Sequence, residues 1–279
     1  MTNSPLNRLD DLERIRQVYR PRTKVGEFFD PRSWNVFEPG LQFNESEYRD
    51  LMISALRTAG CTWQWVEQAK ILEMGCGWGR NSYLFMELGF SADQIHGIDL
   101  MEHFVMHGKK QCPGLNLIVG SGTNTSFASE SFDLILFHTV FSAVFDGQVH
   151  EDLLKEASRL LRPDGLIVIY DILGNYKTHT NKDAQEYIRP LSPQSIFKMS
   201  KKWGLQKSQV HSCGLRPRFR SMAFYGWLNI IRRKLGIKMK PPSDYLARRS
   251  LAAFLALWPW ANSHFFMTLK KEKTHAQLP

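Results

Sequence analysis

The chain has 279 residues, of which 43% are hydrophobic, and a formal net charge of +9 at pH 7. This length suits one core domain with additions and is short for two full α/β domains. Four cysteines without ligand spacing indicate free thiols in a reducing compartment and exclude a disulfide-bonded scaffold. The polar start and the lack of an apolar run of about twenty residues exclude a signal peptide and a spanning helix. We therefore expect a cytoplasmic protein that is peripheral to a membrane at most.

The first sixty residues predict a helical lead ahead of the core. Apolar residues recur at helical spacing between residues 9 and 19, and an aromatic loop with prolines follows. Residues 45–58 then form a predicted helix, with Tyr48 on its apolar face. We expect residues 1–60 to pack against the core as a lead or lid.

The stretch ILEMGCGWGRN, residues 71–81, predicts a buried strand, a glycine turn and the start of a helix. Gly75, Gly77 and Gly79 suit such a turn because glycine permits positive φ and lacks the Cβ that would keep a ligand off the backbone. The third glycine position of a dinucleotide fingerprint holds arginine here, so that fingerprint is incomplete. The pattern is instead acidic-x-G-x-G-x-G, with Glu73 at the end of the strand.

A second acidic residue, Asp99, follows the glycine turn. The stretch IHGIDL, residues 95–100, predicts a strand that contains Asp99 near its end, about twenty residues after the glycine turn. An acidic residue in this place is the usual partner of a ribose diol. A glycine-rich turn alone often serves only close helix packing, but the turn together with Asp99 predicts a nucleoside site.

The rest of the chain alternates predicted strands and helices, an order typical of a doubly wound parallel sheet. The predicted elements are helices over 102–111, 148–162 and 192–202, strands over 115–119, 132–137, 166–170, 206–212 and 264–270, and a Pro-Asp-Gly turn at 163–165. Residues 61–213 and 263–272 then form the core, and residues 214–262 form an insertion before the last strand.

The two acidic residues and the glycine turn resemble the class I methyltransferases that use S-adenosylmethionine, specifically those of type 11. SESFDLILFHTVFSAV (129–144) and LLRPDGLIVIYD (160–171) resemble the fourth and fifth strands of that fold. The resemblance covers residues 70–172. It implies an α/β, Rossmann-like fold with a seven-stranded, mostly parallel sheet, helices on both faces and an antiparallel last strand.

The resemblance also implies S-adenosylmethionine as the cofactor and a role for each motif residue. Glu73 would fix the methionine ammonium, Gly75 and Gly77 would let the cofactor approach, and Asp99 would hold the two ribose hydroxyls. The family has an acidic and a small residue at the adenine, where this chain has Ser121 and Gly122; a serine hydroxyl still suits the exocyclic amine. The remaining predicted cofactor contacts are Cys76, Gly79, Leu100 and Phe137. In this fold the N-terminal lead commonly closes over the cofactor, which would bring Tyr19 and Arg20 to the site.

Methyl transfer is an in-line displacement, so the protein chiefly aligns the acceptor and excludes water, and a base helps when the acceptor is a hydroxyl. Ligands bind at the carboxyl ends of parallel strands, which makes His138 and Asp171 the candidate catalytic residues. His138 is alternatively a satisfied structural histidine, and Asp171 is alternatively an orienter of His138 or a turn residue. His179 is a weaker candidate base. No grouping of residues shows metal-ligand spacing, so we expect no metal site.

The predicted insertion, residues 214–262, is basic and aromatic. Ten arginines and lysines stand against the single acid Asp244 between residues 215 and 249. Such a segment can meet an anionic membrane surface, close over the acceptor as a lid, or form a solvated face. Nucleic acid is not expected as a partner, since neither an RNA-binding signature nor an adenine-methylating N-P-P-Y motif is present.

The first functional hypothesis is O-methylation of a sugar or another small hydroxylated metabolite, free or linked to a lipid or nucleotide phosphate. A narrower resemblance to methyltransferases encoded with bacterial surface-polysaccharide genes supports it; the residues that carry this resemblance are Tyr19-Arg20, HTVFSAVFD (138–146) and 260–270. One alternative is a methyltransferase of a lipid, quinone-like or natural-product acceptor, with the insertion as a tunnel. The alternative outside catalysis is a module that only binds S-adenosylmethionine or RNA.

Overall fold

The computed structural model of the chain describes residues 13, 15, 39–174, 189, 191–215, 234–236 and 262–271. Its helices are α1 (Pro39–Thr58), α2 (Trp63–Gln68), α3 (Ser82–Glu87), α4 (Glu102–Gln111), α5 (Gly147–Leu160) and α6 (Pro193–Ser200). Its strands are β1 (Ile71–Met74), β2 (Ile95–Asp99), β3 (Asn116–Val119), β4 (Phe132–His138), β5 (Leu161–Ile172), β6 (Leu205–Leu215) and β7 (Asn262–Lys271). Short 3-10 turns cover Ala92–Gln94, Phe141–Ala143 and Lys201–Trp203.

The strands form one seven-stranded sheet in the order β3-β2-β1-β4-β5-β7-β6. β7 runs antiparallel to β5 and β6, and the other paired strands are parallel. β1 is buried along its whole length, as expected for a strand of a parallel sheet with both faces covered. Ile71 belongs to the hydrophobic cluster on one face, and Leu72 and Met74 belong to the cluster on the other. The predicted fold class, including the antiparallel last strand, is confirmed.

The predicted boundary between α5 and β5 was wrong. The Asp146 side chain accepts a hydrogen bond from the Gln148 N–H and caps α5. The helix ends at Leu160, two residues before its predicted end, because Leu161 already pairs with Phe132 of β4. The Pro-Asp-Gly stretch, predicted as a turn, lies within β5. The register of β4 against β5 shifts between Phe132 and Leu134, so the extra residues form an irregularity of the strand pair.

Helix α1 begins at Pro39, six residues before the predicted start, and packs against β6 and β7. Its contact with β6 includes a hydrogen bond of 2.6 Å from the Gly214 N–H to Glu47 Oε2. The short helix α2 had not been predicted; the Thr62 hydroxyl caps it by accepting the Trp65 N–H. This placement brings Tyr48 of α1 over the sheet, where it contacts residues of β4, β5 and β7.

The predicted N-terminal lead and insertion lie mostly outside the described part of the chain. Most of the N-terminal lead lies outside it, and so does the insertion apart from residues 214, 215, 234–236 and 262. The lid and the membrane contact therefore stay predictions. In the described part of the chain, no helix is both long and apolar enough to cross a membrane.

Candidate functional site

The carboxyl ends of β1, β2, β3 and β4 surround one cavity, in the place where open parallel sheets bind ligands. The predicted site residues that line this cavity are Gly75, Gly77, Asp99, Leu100, Ser121, Gly122 and His138. Ile15 of the N-terminal lead also lines it. The structure thus brings together residues from four separate strand ends, as the sequence motifs predicted.

The three glycines of the turn after β1 all have positive φ, but their surroundings differ. A Cβ on Gly75 would lie 2.6 Å from Val140 Cγ2, and one on Gly79 would lie 3.3 Å from Leu115 Cδ1. These two glycines permit close packing within the protein. A Cβ on Gly77, which has φ of +54°, would meet no protein atom within 4 Å. Since Gly77 lines the cavity, its missing side chain leaves the backbone open to a ligand.

The carboxylate of Asp99 is held in place at the end of β2. Oδ2 accepts a hydrogen bond of 2.8 Å from the Gly77 N–H, and Oδ1 accepts one of 2.8 Å from the Met101 N–H. Burial raises the pKa of Asp99, and the bonds from Met101 and Gly77 act in the opposite direction. Each carboxylate oxygen has a second lone pair, so the two oxygens can still accept from two hydroxyls. This donor set fits a ribose diol.

Glu73 lies beneath the turn rather than in the cavity lining. Its Oε1 accepts a hydrogen bond of 2.5 Å from Asn81 Nδ2, and its Oε2 is buried with no partner in the described part of the chain. Burial raises the pKa of Glu73 to about 8, the bond from Asn81 lowers it, and the neighbouring Asp99 raises it further. A buried carboxylate with an open oxygen favours a cationic partner, so Glu73 fits the methionine ammonium of S-adenosylmethionine.

The loop after β3, which carries Ser121 and Gly122, is fixed from within and from α5. Ser121 Oγ lies 2.8 Å from Thr123 Oγ1 and accepts the Thr123 N–H at 3.2 Å. From α5, Glu156 Oε1 accepts the N–H and the hydroxyl of Thr125 at 2.8 and 2.7 Å. Arg159 donates to the carbonyl oxygen of Phe127 at 2.9 Å. The helix therefore holds the loop against the cavity.

His138 lines the cavity at the end of β4, with its ring between two tyrosines. The ring stacks on Tyr170 at 4.8 Å and meets the edge of Tyr48 at 5.1 Å. Burial lowers the pKa of His138 to about 3, and the positive charges of Arg80 and His264 contribute. The imidazole is therefore neutral at physiological pH and is a weak base. The role of His138 as a catalytic base stays a prediction. As a neutral hydrogen-bonding group it lies where it can contact a ligand in the cavity.

Asp171 is wholly buried and does not line the cavity. Its Oδ2 accepts the N–H groups of Phe141 and Ser142 at 2.8 and 3.3 Å, and its Oδ1 accepts the Ile172 N–H at 2.7 Å. Burial raises the pKa of Asp171 to about 6, against the effect of these bonds. The bonds from Phe141 and Ser142 fix the turn that follows β4, and the bond from Ile172 lies within β5. Of the alternatives considered from the sequence, this geometry favours the turn residue.

We expect Asp171→Ala to act on stability rather than on ligand binding. Three backbone N–H groups would lose their acceptor inside the protein, which should lower the free energy of unfolding by about 3 kcal/mol or more. Urea denaturation measures this change, with the exposed Asp164→Ala as the control. A folded Asp171→Ala protein of wild-type stability that cannot turn over would instead identify Asp171 as a catalytic residue.

The other predicted cofactor residues lie near the site but outside the cavity lining. Cys76 is buried, and its Sγ packs where a Cβ of Gly97 would lie. Phe137 is wholly buried, and its ring packs against Phe141 at 4.9 Å. Gly79 contacts the core as described above. The predicted residues Tyr19, Arg20 and His179 lie outside the described part of the chain.

The sequence analysis missed several residues that shape the site. Asn81 bonds Glu73, and Glu156 and Arg159 hold the loop after β3. Thr139, which lines the cavity, has φ of +56°, a strained conformation for a β-branched residue. Of these residues, only Asn81 could have been suspected from the sequence, because it directly follows the glycine turn.

Known proteins match both the sequence and the fold. Residues 72–169 match the family described as a methyltransferase domain. Rat (Rattus norvegicus) glycine N-methyltransferase is 24% identical over 152 residues, 50% of this chain and 50% of that protein. The chain thus spans about half the length of the curated relatives it matches.

Two solved structures show the same fold. A proposed sarcosine dimethylglycine methyltransferase from Galdieria sulphuraria has a TM-score of 0.55 at 16% identity, with 83% of this chain and 88% of that chain covered. Phosphoethanolamine N-methyltransferase 2 of Haemonchus contortus, in complex with S-adenosylmethionine, has a TM-score of 0.50 at 17% identity, with 76% and 53% covered. Residues 72–169 are thus a methyltransferase domain, and the strand order of the sheet is that of the class I methyltransferase fold.

Proposed function

We propose that this chain transfers a methyl group from S-adenosylmethionine to a small-molecule acceptor. The observation that carries the proposal is the Asp99 carboxylate, which two backbone N–H groups hold at the edge of the cavity. Gly77 donates one of these bonds and also leaves the cavity open beside it. A nucleoside cofactor matches this combination of a fixed acidic acceptor and an unobstructed backbone.

Different residues of the chain would bind different parts of the cofactor. Asp99 holds the ribose hydroxyls, Glu73 meets the ammonium, and the loop with Ser121 and Gly122 faces the adenine. The bound cofactor supplies an electrophilic methyl group on a sulfonium ion. Because that group is already reactive, the protein has chiefly to align the acceptor and exclude water. His138 and Val140, which line the cavity after β4, are placed to contact the acceptor.

The acceptor predicted from the sequence is a hydroxyl of a sugar or a similar metabolite. An amine is a second candidate, and the low pKa of His138 favours it, because a neutral amine attacks without a base on the protein. The rat and Haemonchus contortus proteins that match this chain are named as N-methyltransferases, of glycine and of phosphoethanolamine. A hydroxyl acceptor bound to the neutral imidazole remains the alternative, and a membrane-linked acceptor would fit the basic insertion.

Labelled S-adenosylmethionine offered with pairs of acceptors that differ only in an amino or a hydroxyl group tests both proposals. We expect transfer to the amine of a pair, with a rate that rises with pH as the acceptor loses its own proton. We also expect His138→Gln to keep turnover within about tenfold of wild type, because an imidazole with a pKa of about 3 contributes little as a base. Both rates come from the same transfer assay.

Two results would contradict these expectations. Loss of turnover by about a hundredfold in His138→Gln, together with an inflection near pH 6 to 7 in the wild-type profile, would restore His138 as the base for a hydroxyl. Cofactor binding without transfer to any acceptor in the panel would support the non-catalytic alternative.

A further inference from the structure

The hydroxyl of Tyr48 on α1 is buried and has no hydrogen-bond partner among the residues that the structure describes. The residue is 6% exposed, and burial raises the pKa of its hydroxyl well above the usual value. A hydroxyl shut away from water without a partner destabilises the folded protein. A buried hydroxyl in this place calls for an explanation beyond the packing of the ring, which phenylalanine would provide equally well.

The ring of Tyr48 cannot easily turn its hydroxyl elsewhere. It meets the rings of His138, Tyr170 and Phe266 at centroid distances of 5.1, 5.0 and 6.4 Å, each in an edge arrangement. A tyrosine has two side-chain torsions, so three such contacts fix both the ring and the direction of its hydroxyl. The hydroxyl therefore has a fixed orientation, and a hydrogen-bond partner for it has to come from a group other than these three rings.

A second buried polar atom lies in the same region. No described residue pairs with Glu73 Oε2, and the negative charge of Glu73 contributes to the raised pKa of Tyr48. Asn81, which holds the other oxygen of Glu73, lines a groove between α1 and α3 together with Tyr48 and Arg80. His138 lines the cofactor cavity and its ring contacts that of Tyr48, so this contact connects the groove with the cavity.

We propose that Tyr48 is a further cofactor-binding residue, whose hydroxyl pairs with the charged amino-acid end of S-adenosylmethionine beside Glu73. A tyrosine hydroxyl can accept from an ammonium and donate to a carboxylate, and this end of the cofactor carries both. The bonds would satisfy two buried atoms that the protein alone leaves unpartnered. The inference rests on the proposed function, because it concerns the same cofactor.

Calorimetry of Tyr48→Phe with two ligands tests the inference. S-adenosylhomocysteine carries the amino-acid end, and 5′-methylthioadenosine has the same nucleoside without it. We expect Tyr48→Phe to weaken the binding of S-adenosylhomocysteine about tenfold or more and to leave that of 5′-methylthioadenosine unchanged, because a hydrogen bond to a charged group is lost. Tyr83→Phe on α3, an exposed tyrosine that lines the same groove, is the control for loss of a hydroxyl from the groove.

The thermal midpoint without ligand provides a second readout. Tyr48→Phe removes an unpartnered buried hydroxyl, so we expect the midpoint to rise or stay the same. A lowered midpoint would show that the hydroxyl has a structural partner and would overturn the inference. Equal weakening of both ligands, or of neither, would overturn it as well. A wild-type protein that binds neither ligand would instead contradict the proposed function itself.

Discussion

Replacing Asp99 by alanine is expected to weaken the binding of S-adenosylmethionine by about a hundredfold or more. The carboxylate is positioned by the N–H groups of Gly77 and Met101, and it faces the cavity. Two ribose hydroxyls would each lose a charged acceptor, and such bonds contribute about 1.5 to 3 kcal/mol each. Isothermal titration calorimetry with S-adenosylmethionine measures the change directly.

The same substitution also removes the acceptor of two backbone N–H groups, so its effect on folding has to be separated from its effect on binding. Asp99→Asn keeps the shape and one acceptor oxygen but loses the charge, and we expect it to weaken binding less than alanine does. Asp50→Asn, on the exposed surface of α1, is the control for loss of an aspartate charge. Wild-type affinity in a folded Asp99→Ala protein would remove Asp99 from the cofactor site.

The fold could be predicted from the sequence because its signals are local. β1, β2 and β4 read as short apolar runs, and the glycine turn and Asp99 lie within or directly beside two of them. Since parallel strands end at the same edge of the sheet, these signals also predicted which residues meet there. The resemblance to class I methyltransferases added the number of strands and the antiparallel β7, which local patterns do not supply.

The electrostatics of the site could not be predicted in the same way. The low pKa of His138 depends on burial and on Arg80 and His264, residues far away in the chain. The role of Asp171 depends on the N–H groups of Phe141 and Ser142, which a turn thirty residues earlier presents. Residue type and strand position suggested two possible bases, but the surroundings of each side chain decide its chemistry.

Tyr48 shows the same limit of prediction from sequence periodicity. Its helical spacing predicted a residue packed on the sheet, and its ring does contact residues of β4, β5 and β7. Periodicity says nothing about the hydroxyl, whose lack of a partner appears only in three dimensions. The presence of a helix and the packing of its apolar face are thus easier to predict than the hydrogen bonding of a polar atom on that face.

Gly77→Ala is expected to weaken cofactor binding, whereas Gly75→Ala is expected to destabilise the folded protein. The new Cβ at position 77 would enter open space in the cavity, whereas at position 75 it would lie 2.6 Å from Val140 Cγ2. We expect Gly77→Ala to weaken binding of S-adenosylmethionine by up to about a hundredfold, since a misplaced methyl group costs about 1 to 3 kcal/mol. We expect Gly75→Ala to lower the free energy of unfolding by about 3 kcal/mol, from overpacking added to backbone strain.

Backbone strain is common to both variants and needs its own control. Gly204 has φ of +66° and open space where a Cβ would lie, but it follows a 3-10 turn away from the cavity. Gly204→Ala should therefore share the conformational cost, about 1 to 2 kcal/mol, without any loss of cofactor affinity. Calorimetry and urea denaturation of the three variants separate the two effects. If Gly77→Ala binds the cofactor as tightly as Gly204→Ala does, then the open space beside Gly77 is not where the cofactor approaches the backbone, and the turn serves packing alone.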